Sequence, residues 1–217
     1  MSDPRIETGV VAADVAEEFP ALAVRWVTVP GAPGPVAPGV REHLDALAAR
    51  IAGAQAIALR HGEVPHAHRV FFRHVGIDPD VTRTPAEEAM VGRLVDGGFP
   101  VADRIAAACL VAVVETGVGV WAADAARVAG PVEVRTARAG ERLGEGERAD
   151  DLVAGRLVLA DERGPLAVLF GPWAPERLPA PHTEAVRLIA LQVPGVPDLH
   201  LEEALWAAAD ALAPGRA

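Results

Sequence analysis

Residues 97–124, GGFPVADRIAAACLVAVVETGVGVWAAD, constrain the fold more than any other part of the chain. Two glycines and a proline open the stretch. An apolar run over 105–114 follows with almost no polar face, and Gly117, Gly119 and Asp124 close it. A helix that is apolar all round must be covered on every side. This one is therefore expected at the centre of the fold, with the remaining elements layered over it.

A chain of 217 residues can bury a sizeable core, and we read 1–217 as one domain. Residues 1–64 form a strand and helix layer, 65–196 the core, and 197–217 a terminal helix. No apolar run has the length of a membrane span, and the polar start MSDPRIETG carries no signal-peptide pattern. A cytoplasmic protein with no membrane partner is the expectation. The single cysteine, Cys109, excludes a disulfide framework and reads as a small buried hydrophobe.

The missing residue types exclude several chemistries. The chain has no Lys, Tyr or Asn, and its only serine is Ser2. Schiff-base and phosphate-loop lysines, tyrosine bases and serine nucleophiles are thereby unavailable as site groups. All twenty basic residues are arginines, and the net charge is −10. That charge opposes non-specific nucleic-acid binding, and DNA is not expected as a partner. Any RNA contact has to come from a local arginine patch.

Along the chain, residues 6–13 and 21–29 read as strands, with Asp14 as cap of a short turn through Phe19. Residues 31–39, GAPGPVAPG, are a loop. An amphipathic helix over 40–59 buries Leu44, Leu47, Ile51 and Ile57, and a second covers 65–75 with Gly76 as its terminator. Thr84-Pro85-Ala86-Glu87 starts a third helix, whose apolar face is Ala89, Met90, Leu94 and Val95. Strands are expected over 118–122 and 132–135, a charged loop over 137–154, and a hairpin from 156–160 and 166–170. A last strand over 186–193 precedes a helix over 199–212 with Leu201, Leu205, Ala208 and Leu212 on one stripe. Helices come mainly first and strands mainly later, which predicts an α+β fold: a mixed sheet with packed helices and a central buried helix.

Pro100, Gly117, Asp124, Gly130, Arg135 and the pair Gly140-Glu141 recur in one order and spacing. On these positions the run 99–137 resembles the B3/B4 domain of the phenylalanyl-tRNA synthetase β subunit. The stretch 159–167, LADERGPLA, resembles the hairpin of the same domain, and Thr183 matches a family threonine. Upstream, Arg69, Phe72-Arg73, residues 76–79 (GIDP) and Thr82-Arg83 resemble free-standing members. The resemblance covers about residues 17–193 and implies a stand-alone B3/B4 fold, tRNA as partner, and removal of wrong amino acids from tRNA in trans. Ala107 and Leu110 stand where the family has an aspartate and an asparagine, Trp121 where it has a histidine, and Ile189 near a family carboxylate.

Several residues carry two readings each. The Gly117–Gly119 turn with Trp121 either holds an acyl group or permits a tight helix-to-strand turn. Asp161 either faces substrate or closes its own hairpin turn. Asp124, His182 and Thr183 are candidate catalytic groups, with Asp124 alternatively capping the turn at 125–128. Arg69, Arg73 and Arg83 are the candidate RNA contacts, against internal pairing with Asp78, Asp80, Glu87 or Glu88. His61, Glu63, His66, His68 and His74 crowd into fourteen residues, but His66 and His68 are two apart on a helix and point to different faces. No metal and no cofactor is assigned. The alternative function is a non-catalytic module on the same fold that binds a small ligand or a protein, its pocket filled by Ala107, Leu110, Trp121 and Ile189.

Overall fold

The computed structural model describes residues 5–51 and 62–213. The first sheet contains β1 (Glu7–Thr8), β3 (Ala23–Pro30), β10 (Ala185–Gln192) and β4 (Val120–Asp124), in the order β1-β3-β10-β4 and antiparallel throughout. The second is mixed, with the order β2-β5-β8-β9. Here β2 (Val10–Val11) runs parallel to β5 (Glu133–Thr136), while β8 (Leu157–Asp161) and β9 (Gly164–Val168) form the expected hairpin. Helices pack on these sheets, and the fold is α+β.

The strand expected over 6–13 is cut in two at Gly9. Its first half joins one sheet and its second half the other. The Gly9 N–H donates to the Val24 carbonyl at 2.8 Å, and the next N–H, of Val10, donates to the Val132 carbonyl at 2.9 Å. A Cβ on Gly9 would lie 2.4 Å from that Val132 oxygen, so only glycine lets the backbone cross here.

The helices follow the sequence with specific exceptions. Helix α1 (Ala13–Glu18) has Ala12 at its N-cap position with no side-chain cap; Asp14 sits in the first turn and accepts from the Thr136 hydroxyl instead. Helix α2 is Pro38–Arg50; the continuation to residue 59 with Ile57, and His61, lie outside the described residues. Helix α3 (Glu63–His74) ends at Gly76, with φ +76°, where the Ile77 N–H bonds the Phe72 carbonyl. Helix α4 (Pro85–Asp96) starts with the complete capping box of Thr84 and Glu87, Pro85 occupying its first turn. Leu94 and Val95, expected to be buried, are exposed: the covered face of α4 is Ala86, Glu87 and Met90. The expected loop 137–154 contains a ribbon of β6 (Arg142–Leu143) and β7 (Asp150–Asp151).

Helix α5 (Arg104–Thr116) is capped by Asp103, whose carboxylate accepts from the N–H groups of Ile105 and Ala106, and ends at Gly117 with φ +78°. It packs most extensively on α6 (Asp198–Leu212), which itself covers β10 and β3. The buried sides of α5 and α6 are rich in alanine, Ala107, Ala108 and Ala112 on one and Ala204 and Ala208 on the other, so the helices can approach closely. One apolar cluster runs from Val15 to Leu212 and draws on both sheets. The expectation of a helix covered on every side fails on one flank. Cys109, Leu110 and Val114 are only half-buried, and Ala106 and Glu115 are exposed. Among the described residues, no helix is long and apolar enough to cross a membrane.

Candidate functional site between α4 and α5

The uncovered flank of α5 forms one wall of a cavity of about 510 Å³, through Cys109, Leu110 and Val113. Helix α4 forms the facing wall with Pro85, Glu88, Ala89, Gly92, Arg93 and Asp96. Those six positions repeat at helical spacing and share one face. Ala89 and Gly92 lie at its middle, and with one methyl group between them they leave the space between the helices open. The start of β4 closes one end with Gly119, Val120 and Trp121, and Phe72, Arg83, Phe99, Pro100, Phe170 and Gly171 complete the lining. Four of the nine Phe and Trp residues of this aromatic-poor chain thus meet at one cavity, which makes its walls suited to an apolar or planar group.

Phe170 organises those aromatics. Its ring lies 4.8 Å from Phe72, 5.5 Å from Trp121, 5.8 Å from His68 and 6.1 Å from Phe71, centroid to centroid. It sits beyond the end of β9 in a turn, where the sequence suggests continuing strand, and takes φ +55°, the one positive value among described non-glycine residues. That conformation costs roughly 1–2 kcal/mol, offset here by edge-to-face ring packing.

The mouth is charged. Arg83 and Glu88 approach to 3.6 Å and are both largely exposed. Arg93 donates through Nε and Nη2 to the Ala48 carbonyl, at 3.1 and 2.9 Å, which ties α4 to α2. Burial, and secondarily the Asp103 charge, push the Cys109 thiol up to about 12. At neutral pH this keeps it a protonated lining group.

The structure separates the residues singled out in the sequence. Gly119 and Trp121 line the cavity, and a Cβ on Gly119 would lie 2.8 Å from Pro85 Cγ, so glycine is needed for β4 to start beneath α4. Gly117 ends α5 outside the cavity lining, its missing Cβ facing Val64 at 3.1 Å. Asp161 lies buried in the β8–β9 turn and accepts from the N–H groups of Arg163, Gly164 and Ala129. Asp124 accepts from the Ala126 N–H at 2.9 Å and from the Thr183 hydroxyl at 2.6 Å. His182 is exposed, and none of Asp161, Asp124, Thr183 and His182 lines the cavity.

Of the three arginines, only Arg83 reaches the cavity. Arg73 is exposed on α3. Arg69 turns inward and bonds Asp80 at 2.5 Å, Glu87 at 2.9 Å and the Pro79 carbonyl at 3.1 Å. Of the four apolar residues singled out in the sequence, Ala107 and Ile189 are fully buried, whereas Leu110 and Trp121 border open space. His66 is exposed and His68 wholly buried; among the described residues no group of three or more His, Cys, Asp and Glu is placed to hold a metal ion. Sequence reasoning missed Arg93, Phe170 and the small face of α4. The spacing of Pro85, Ala89, Gly92 and Arg93 carried that last signal.

No family model matches the sequence, and no curated protein matches it. Among solved structures, the chain is similar to an N-terminal fragment of the phenylalanyl-tRNA synthetase β subunit from Pyrococcus horikoshii, at 14% identity and a TM-score of 0.41. The likeness covers 51% of this chain and 39% of that one, and at this level it does not bear on function.

Proposed function

We propose that the chain binds the aminoacylated end of a tRNA, with the amino acid's apolar side chain in the α4–α5 cavity and RNA phosphate against Arg83 and Arg93 at its mouth. What supports this reading is one coincidence. The open, aromatic-walled cavity with arginines at its rim lies at the Gly119–Trp121 segment, within the run that resembles the B3/B4 domain. Arg73, exposed on α3, is a further phosphate contact in this reading.

Deacylation, within the same reading, is attack of water on the aminoacyl ester assisted by the terminal ribose hydroxyl. The chain's part is to grip the acyl group and exclude bulk water. The test is release of amino acid from a panel of misacylated tRNAs, with the expected result a rate above buffer for at least one apolar amino acid. Binding should weaken with salt, and Arg83→Ala should flatten that salt slope. A second reading, a binding module without chemistry, is favoured by one observation: Asp124 and Thr183 are bonded to each other, away from the cavity. Retained tRNA binding with no release across the panel selects it.

A further inference from the structure

Strand β4 ends its sheet, and the pairing on its inner side fixes what its outer side presents. The Gly31 N–H donates to the Glu184 carbonyl at 2.9 Å, which extends the β3–β10 ladder by one bonded pair. Counting from that pair, Val186, Leu188 and Ala190 turn their backbone groups toward β3, and Arg187 and Ile189 turn theirs toward β4. The β4 partners of those two are Ala123 and Trp121. The N–H and C=O groups of Val120 and Ala122 therefore point outward, and among the described residues nothing bonds them. Val120 is only 6% exposed, and a covered backbone donor and acceptor without partners are costly.

The same two residues border a second cleft, of about 350 Å³, which meets the first cavity at Cys109, Val120 and Trp121. Its walls are the start of α5, with Asp103 and Ala106, and the segment carrying Trp173, Leu178 and Pro179. Asp103 is the only charged residue in that lining, and its Oδ1 alone takes up the two capping N–H groups. No arginine borders the cleft, so it offers nothing to a phosphate. Within the strand itself nothing blocks pairing: VWAAD holds no proline and no basic residue, and its pairing to β10 has no bulge.

We propose that the outer edge of β4 is a strand-addition site for an extended peptide segment of a partner protein. Its backbone pairs with Val120 and Ala122, one apolar side chain enters the cleft beside Trp173 and Leu178, and a neighbouring basic residue meets Asp103. The five residues of β4 limit the added segment to a few residues. The net charge of −10 favours a basic partner. The cleft takes no arginine and no α4 residue from the α4–α5 cavity, and the two share Cys109, Val120 and Trp121 as a common wall.

The test uses the full isotope-labelled chain and the blocked peptide acetyl-Arg-Val-Phe-Val-amide as probe, followed by amide hydrogen exchange. In the free chain, the Val120 and Ala122 amides should exchange faster than those of Trp121 and Ala123. At a peptide concentration about ten times Kd, exchange at Val120 and Ala122 should slow by about tenfold. N-methylation of one alternate set of peptide amides should abolish this, and methylation of the other set should not. Asp103→Asn, which keeps the helix cap, should weaken binding several-fold. Absence of slowing at Val120 and Ala122 with millimolar peptide, or equal loss from both methylated sets, overturns the proposal. Slowing by uncharged tRNA but not by the peptide also overturns it, in favour of a nucleic-acid occupant. Release of amino acid from tRNA is a separate measurement and moves neither result.

Discussion

Thr183 donates its hydroxyl to the Asp124 carboxylate at 2.6 Å, joining the end of β4 to the loop that leads into β10, and both residues are buried. The same hydroxyl oxygen accepts from the Ala180 N–H, and the same carboxylate caps the turn at Ala125–Arg127. Two residues that resemble site groups in the sequence thus hold two strand ends together. Thr183→Val should cost about 1–3 kcal/mol of stability in denaturant unfolding, because it strands a buried carboxylate oxygen and an N–H. Ligand affinity at the α4–α5 cavity should stay unchanged; a loss of affinity in a folded variant would return Thr183 to the site.

Arg69 and Arg73 lie one helical turn apart on α3 and meet opposite surroundings. Arg69 is enclosed by Asp80 and Glu87, while Arg73 is exposed. Arg69→Ala leaves Glu87 buried without that partner and should cost about 3 kcal/mol or more. Arg73→Ala should stay within about 0.5 kcal/mol of the parent. Thermal or urea unfolding of the two variants distinguishes them, and equal effects would contradict the placement of Arg69.

His68 gives stability a pH dependence. Its ring is enclosed, with Nδ1 at 2.9 Å from the Val64 carbonyl, and burial lowers its pKa from the ordinary histidine value. The unfolded chain therefore takes up a proton below about pH 6.5 that the folded chain still refuses. The contribution is complete above that pH and is lost as pH falls toward the lowered folded value. Unfolding free energy should fall between pH 7.5 and 5, and His68→Leu should flatten part of that slope. An unchanged slope in the variant would count against the enclosed neutral ring.

Cys109 borders the cavity, yet its thiol is held at about 12. Alkylation by iodoacetamide at pH 8 should run roughly a thousandfold slower in the folded chain than in urea, following the thiolate fraction. Rapid single-site labelling of the folded chain would show instead that Cys109 is ionised, and would reopen it as a nucleophile.

Local chemistry was legible in the sequence wherever one element decides it. The Thr84–Glu87 capping box, the Gly76 and Gly117 terminators, the β8–β9 hairpin and the buried stripe of α6 all follow from spacing alone. What depended on a neighbour was not legible. Leu94 and Val95 look like core residues, yet they lie in the last turn of α4, past the covered Ala86, Glu87 and Met90. Arg69 looks like Arg73 until Asp80 and Glu87 arrive from another segment. Phe170 reads as strand because nothing local announces a positive φ; the surrounding rings hold it there.

In the proposed function the α4–α5 cavity takes the acyl group of an aminoacyl-tRNA. The direct measurement compares affinity for one tRNA in uncharged form and charged with an apolar amino acid, in the parent chain and in Gly92→Phe. A Cβ at Gly92 meets nothing within 4 Å, so the phenylalanine enters the cavity without straining α4. Burial of one apolar side chain predicts about tenfold tighter binding of the charged form in the parent. Gly92→Phe should erase that difference and leave uncharged binding intact. Equal affinity for both forms in the parent, or a difference that survives in Gly92→Phe, would contradict the claim.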